Sequence, residues 1–205
     1  MDDAKKILMT VLRDKKTEID QFRIVAHELA LILAQEALAH VSTKRKKVTT
    51  PLESTYEGAE LAHLVVLVPI LRSGLALLPA FLQYFARARV GVVGLKRDEK
   101  TAVAHWYYKN MPPIGKDDIV IILDPMLATA GSLLETLGYL TSLEIEQERI
   151  VYVGVISAQI GVDAVKKQYP DITMVIADND SELNAAKYIV PGLGDFGDRY
   201  FGTVA

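Results

Sequence analysis

Cysteine is absent from the 205 residues. That excludes a disulfide framework, thiolate zinc sites and a cysteine nucleophile. No apolar run approaches the roughly 18 residues of a membrane-spanning helix. The start, Met1-Asp2-Asp3-Ala4-Lys5-Lys6, does not read as a signal peptide. Charge of one sign is not in strong excess: the net charge is −3, whereas a dedicated nucleic-acid binder usually carries a basic surplus. The four histidines, His27, His40, His63 and His105, show no ligand spacing and read as structural. No metal-binding residue is expected from the protein itself. Internal repeats and low-complexity tracts are missing too. These absences lead to the expectation of a soluble, cytoplasmic protein without a nucleic-acid or membrane partner.

What is present is an α/β pattern. Continuous apolar runs at Leu64–Val68, Val90–Leu95, Ile119–Leu123, Ile150–Ile156 and Ile172–Ile176 alternate with helical spacing. The pattern predicts a mostly parallel sheet flanked by helices. Too few units are visible for an eight-fold barrel. The length suits one domain, residues 1–205, with a core large enough to need no staples.

One stretch organises the rest. Ile119–Leu123 has no polar alternation and reads as a strand buried on both faces. It runs into Asp124, where ligands bind in open α/β sheets. Small and hydroxyl residues follow, Ala128-Thr129-Ala130-Gly131-Ser132, and then a helical repeat of leucines. A strand, an acid, a small-residue turn and a helix start form an anion cradle. No G-x-x-x-x-G-K phosphate loop is present, because Gly115-Lys116 lacks the upstream glycine. A second strand end carries Arg72-Ser73-Gly74. Its guanidinium suits a pyrophosphate, although a salt bridge at a helix start fits the position equally well. In the tail, Gly192, Gly194 and Gly197 satisfy G-x-G-x-x-G, but only eight residues remain after Gly197. A dinucleotide site needs a helix and a distant acid there. The glycines instead let a loop bring its backbone against a flat, polar partner such as a base edge.

The remaining segments read as follows. Residues 4–12 suit a short helix with Ile7, Leu8 and Val11 inward. Thr17 and Asp20 suggest a capping box for a helix carrying Phe22, Val25, Leu29, Leu33 and Leu38 on one stripe. Residues 41–60 read as largely unstructured, with a short edge strand at Val48–Leu52. The run Lys44-Arg45-Lys46-Lys47 reads as a solvated loop, with an RNA- or membrane-facing patch as the alternative. Ser73 is expected to cap a helix over Leu75–Arg87. Lys96–Lys100 reads as a charged loop between hairpin strands.

Four stretches resemble the uracil phosphoribosyltransferase family. They are Asp124–Ser132, Pro69–Gly74, Tyr188–Arg199 and Phe201-Gly202-Thr203, in order and spacing. The helix containing Phe22-Arg23 and Glu28-Leu29 agrees as well. The resemblance implies transfer of the phosphoribosyl group of 5-phosphoribosyl 1-diphosphate (PRPP) to uracil, giving UMP and pyrophosphate. It implies that Arg72, Arg97, Asp124, Pro125, Met126, Leu127, Ala128, Thr129, Ala130, Gly131, Ser132 and Asp195 contact PRPP. Asp124, Arg72 and Arg97 would be the catalytic groups. Ile189, Gly194, Asp195 and Phe196 would bind uracil within a hood built by residues 178–205 and the N-terminal helical segment. The segment after Arg97 would be a mobile lid. Magnesium would bind mainly through PRPP, and a homodimer or higher homo-oligomer is implied. Activation by GTP, which only some members show, stays open. So do two rival readings: a non-catalytic PRPP- or nucleotide-sensing regulator, and a phosphoribosyltransferase for another base.

Two positions depart from the commonest bacterial pattern. Ala130 stands where glycine is usual, so its turn is expected to keep an ordinary, negative φ. Phe196 follows the hood aspartate where a small residue is usual. Its ring is expected to pack beneath the hood while its backbone N–H faces the base.

Overall fold

The computed structural model describes residues 3–97 and 104–203. Of the expected lid, which begins after Arg97, Asp98 to Val103 lie outside the described residues and Ala104–Asn110 form a strand. The chain runs α1 (Asp3–Arg13), α2 (Ile19–Leu38), β1 (Thr43–Thr49), β2 (Thr55–Leu61) and β3 (Val65–Leu71). A short 3-10 turn (Ser73–Ala76) leads to α3 (Leu78–Tyr84), β4 (Arg89–Val90), β5 (Val92–Arg97) and β6 (Ala104–Asn110). Then come β7 (Ile119–Leu123), β8 (Met126–Leu127), α4 (Gly131–Ser142), β9 (Ile150–Ala158), α5 (Gln159–Gln168) and β10 (Thr173–Asp180). The tail holds β11 (Glu182–Leu183), β12 (Ile189–Val190) and α6 (Phe196–Phe201).

The central sheet has the order β10-β9-β7-β3-β5-β6. Every pairing along it is parallel except β5 with β6. The apolar run of β7 is buried at every position. Its side chains alternate between two cores, as a pleated strand requires. Ile119, Ile121 and Leu123 face one core with α2, α3 and the hood. Val120 and Ile122 face the other with Leu133, Leu137 and Leu140 of α4. Burial on both faces pushes the polar chemistry to the strand ends. At the far edge Trp106 of β6 meets Tyr139 of α4 edge-on, 5.7 Å between centroids. Lys109 lies over both rings.

Several local expectations are corrected. Ile7 is exposed, while Leu8 and Val11 pack against the core beside the buried Lys5, Met9 and Leu12. Lys5 reaches Glu36 at 2.6 Å. Thr17 does not cap α2: its hydroxyl donates to the Val11 carbonyl at 2.6 Å, and Glu18 precedes the helix without a side-chain cap. Residues 43–61 are an antiparallel hairpin. The basic run lies on its fully exposed strand β1. Lys44 and Lys46 pair with Glu60, and Lys47 with Glu57, across the ladder. The Ser73 hydroxyl serves Asp124 rather than a helix end, and the predicted helix over Leu75–Arg87 is broken into the 3-10 turn and α3.

Two arginines fasten the tail over the sheet. Arg13, the last residue of α1, donates to Asp180 at 2.8 Å, Asp178 at 2.7 Å and the Gly192 carbonyl at 2.9 Å. Arg199 of α6 donates to the carbonyls of Leu193 at 2.8 Å, Asp14 at 2.8 Å and Leu12. Its guanidinium also lies 4.4 Å from the centroid of the Phe22 ring. Gly192 takes φ +60, and a Cβ there would fall 2.1 Å from the Ile189 carbonyl. Phe196 is completely buried. It meets Phe22 edge-on at 5.2 Å and stacks on Tyr200 at 5.9 Å. The ring therefore packs beneath the hood. Phe196→Ala is expected to lower unfolding free energy by about 3–5 kcal/mol while leaving ligand choice unchanged, as read by denaturant titration and a panel of bases.

Candidate active site

Three loops meet where the parallel strands end. The first follows β3. The Leu71–Arg72 peptide is cis, and the chain turns at once into Ser73 and Gly74. A Cβ on Gly74 would lie 2.2 Å from the Leu123 carbonyl, so only glycine lets this turn pack against the end of β7. Ser73 is thereby brought beside Asp124, its hydroxyl 3.3 Å from Oδ1.

The second loop follows β7. Asp124 ends the buried strand, and its backbone N–H donates to the Val153 carbonyl at 3.1 Å. The buried Tyr152 hydroxyl donates to the Asp124 carbonyl at 2.8 Å. Pro125 accepts from the N–H groups of Val155 and Ile156, both at 2.9 Å. Strand β8 then pairs Met126 and Leu127 with Ile156 and Ser157. Gly161 of α5 closes on the loop from below: a Cβ there would sit 2.4 Å from the Ala128 carbonyl. Asp124 and Met126–Leu133 line a cleft of about 180 Å³.

Ala130 contradicts the expectation of an ordinary φ. It takes φ 67 and ψ 1, the left-handed region, directly before α4. This costs about 1–2 kcal/mol for a residue with a Cβ. Its methyl is buried in the core beneath the loop, and its carbonyl accepts the first helix bond, from Leu134 at 2.8 Å. Tertiary packing outweighs the local preference. The N–H groups of Gly131, Ser132 and Leu133 precede the helical ladder, where an anion is favoured.

Electrostatics single out Asp124. Burial pushes its carboxyl up to about 7, against the Met126 N–H and the Ser73 hydroxyl, which favour the charged form. Burial and the neighbouring Asp124 push the Tyr152 phenol well above its ordinary value.

The third loop is the hood. Gly194 and Asp195 are exposed, Gly194 in a pocket that it lines with Arg13, Thr17 and Arg199, and the Asp195 carboxylate caps α6 by accepting from the Asp198 N–H at 2.9 Å. Ile189 is buried through its side chain and paired with Leu183. Gly197 lies against Ser73. The Phe196 N–H meets the thioether of Met126 at 3.2 Å. It thus points at the second loop, capped by a weak acceptor rather than left open for a ligand.

The model of one family, described as uracil phosphoribosyltransferase, matches residues 2–203. The chain belongs to the uracil phosphoribosyltransferase family. A uracil phosphoribosyltransferase of Metamycoplasma hominis is 38% identical over 95% of this chain and 92% of its own. One from Mycoplasma genitalium is 39% identical over 95% and 93%. A solved structure of an Aquifex aeolicus protein superposes with a TM-score of 0.91 at 33% identity, over 100% of this chain and 97% of that one. A Bacillus anthracis hypoxanthine-guanine phosphoribosyltransferase shares the fold, with a TM-score of 0.50 at 7% identity over 77% and 78%.

Of the residues that the family resemblance marks, the structure brings together the Arg72 turn, Asp124 with its loop through Ser132, and the tail positions Asp195 and Phe196, whereas Gly194 lines a separate pocket with Arg13 and Thr17. Arg97 ends β5, on the strand-end side of the sheet that carries Arg72. Sequence reasoning missed Tyr152, Arg13 and Asp178. The acids that close the apolar run before Asp178 and Asp180 were the available signal, since they repeat the Asp124 pattern.

Because Asp124 keeps its proton up to about 7 in the folded protein, the folded state binds more protons than the unfolded chain from about pH 4 to about pH 7. Stability therefore falls as pH rises through that window and levels off above it. Asp124→Asn is expected to abolish turnover yet melt higher than the parent near pH 8 and equally near about pH 4. Thermal melts across pH check both arms.

Proposed function

We infer that this chain transfers the phosphoribosyl group of PRPP to uracil, forming UMP and releasing pyrophosphate. The observation that carries the reading is the meeting of an uncapped helix start and a strand-end acid with a backbone-lined hood at one edge of a parallel sheet. Family membership over residues 2–203 supports the same reaction.

Ribosyl transfer builds positive charge at the anomeric carbon and negative charge on departing pyrophosphate. Positioning and electrostatic stabilisation suffice, and no covalent nucleophile is required. Thr129, Gly131 and Ser132 hold the 5′-phosphate on the first turn of α4. Asp124 accepts from ribose hydroxyls, with Ser73 and Tyr152 fixing its side chain and backbone. Arg72 and Arg97 offset the pyrophosphate charge, and Asp195 approaches PRPP from the hood. Backbone groups of Ile189, Gly194 and Phe196 read the uracil edge. A base carbonyl is a stronger acceptor than the thioether now facing the Phe196 N–H, so uracil displaces Met126 from it.

No three His, Cys, Asp or Glu side chains among the described residues gather as a metal cage. No such cage is needed by a hard dication that keeps most of its waters and would arrive with the substrate phosphates. When bound, magnesium would supply neutralisation of the phosphate charge.

Residues 1–205 act as one phosphoribosyltransferase unit, and the hairpin β1–β2, with Val48, Leu52 and Tyr56 exposed, offers an arm for homo-oligomer formation. Lys44, Lys46 and Lys47 of the basic run pair across the hairpin with Glu60 and Glu57, which leaves less uncompensated positive charge for the rival reading as a nucleotide-sensing regulator. Among the described residues no helix is long and apolar enough to cross a membrane.

The test is pyrophosphate release from PRPP and magnesium with each nucleobase in turn. Release with uracil alone is expected. Release with another base, or none with any, overturns the assignment. Arg72→Ala is expected to raise KM for PRPP by about tenfold or more with KM for uracil little changed. Steady-state kinetics in both substrates check this.

A further inference from the structure

Arg72 does not hang free at the end of β3. Its Nη2 lies 3.2 Å from the Thr203 hydroxyl and 3.5 Å from Asp198 Oδ1. Its guanidinium carbon lies 5.5 Å from the centroid of the Phe201 ring. All three partners come from the C-terminal turn of the hood. That turn is itself tied down. The Thr203 hydroxyl donates to Asp198 Oδ1 at 2.6 Å while accepting from Arg72. The Gly202 and Thr203 N–H groups donate to the Asp198 carbonyl at 2.8 and 3.1 Å. The Asp198 N–H is held by Asp195 at 2.9 Å. Gly202 takes φ +73, which folds Thr203 back onto the helix.

We propose that Asp198 is a positioning residue for Arg72, acting with Thr203 to aim the guanidinium into the cleft. The proposal rests on the reading of Arg72 as the pyrophosphate group. The contacts to Thr203 and Asp198 use only Nη2. Among the described residues Nε and Nη1 meet no hydrogen-bond partner, so N–H donors on either side of Nη2 remain for an anion. The Arg72 side chain is 56% exposed and that of Asp198 42%. An ion pair this exposed, at 3.5 Å, adds little to stability. Its consequence lies in orientation. A long arginine side chain loses rotamer freedom when it clamps an anion, and a fork already held loses less. The same contacts join the pyrophosphate arginine to the hood whose Asp195 is expected to face PRPP.

The experiment measures PRPP and pyrophosphate affinity by calorimetry with magnesium, KM for uracil, and thermal stability. The variants are Asp198→Ala, Asp198→Asn, Thr203→Val and Arg72→Ala of the full chain. Asp198→Ala and Thr203→Val should each weaken PRPP and pyrophosphate by about tenfold, the scale of ordering one long side chain. KM for uracil and the melting temperature should hardly move. Asp198→Asn keeps an oxygen acceptor for Thr203 and Arg72 and should recover most of the loss. If Arg72→Ala weakens both ligands but Asp198→Ala does not, the positioning role is wrong and the reading of Arg72 survives. If Arg72→Ala itself changes neither affinity, the reading of Arg72 fails and the inference falls with it. Tighter pyrophosphate binding by Asp198→Ala would make Asp198 a competitor for the guanidinium and overturn the proposal. A parallel loss of uracil, PRPP and thermal stability would reduce Asp198 to a structural residue and overturn it as well.

Discussion

Arg13 is the interaction on which the site depends. It gathers two acids from the end of β10 and a carbonyl from the glycine loop, three groups that the chain places more than 160 residues downstream. Its pKa is raised: the bonds and charges of Asp180 and Asp178 outweigh the burial that opposes them. The guanidinium is therefore a permanent charge, and its planar fork can satisfy several oxygens at once. Arg199 works in the opposite direction, from the hood back to the carbonyls that end α1. Burial lowers its pKa. Together they fix where the glycine loop stands above the sheet. Without them the tail would keep its aromatic packing on α2 but lose its registration against the strand ends.

The second constraint is burial of the sheet on both faces. It leaves β7 no room for a polar side chain until the strand ends, and there the first polar side chain is a carboxylate. Asp124 is thus caught between a dry interior and an open cleft. The Ser73 hydroxyl and the Met126 N–H offset part of the desolvation, not all of it. A group whose charge is only partly supported in the empty protein gains most when a ligand brings donors to it. This is how a stability deficit is converted into affinity.

The sheet and the strand-to-helix turn after β7 were legible because both rest on local signals. Runs without alternation marked β3, β7 and β9, and small residues between strand and helix marked the turn before α4. The hairpin β1–β2 was not legible. Both its faces meet solvent over most of its length, so it carries no apolar period, and the backbone ladder holds it, with exposed cross-strand ion pairs adding little. The Ala130 backbone was misjudged for another reason. Avoidance of positive φ is a local energy of about 1–2 kcal/mol, and a buried methyl in a loop pinned by Gly161 and Pro125 outweighs it. The Phe196 ring was placed correctly, because an aromatic beside glycines needs a core to enter. The acceptor of its N–H was not foreseen: a thioether contact between segments 70 residues apart leaves no trace in sequence. The roles of Arg13 and Thr17 were hidden in the same way, since each spends its donors on partners outside its own helix turn.

The edge-on pair of Trp106 and Tyr139 has an optical consequence. Trp106 is the only tryptophan of the chain. It sits on β6, against α4, and a lysine ammonium stands 5.4 Å from its ring centroid. An indole so placed feels both the electric field of α4 and any movement of Lys109. Excited selectively over the nine tyrosines, its emission is therefore a built-in, label-free reporter of how β6 sits against α4.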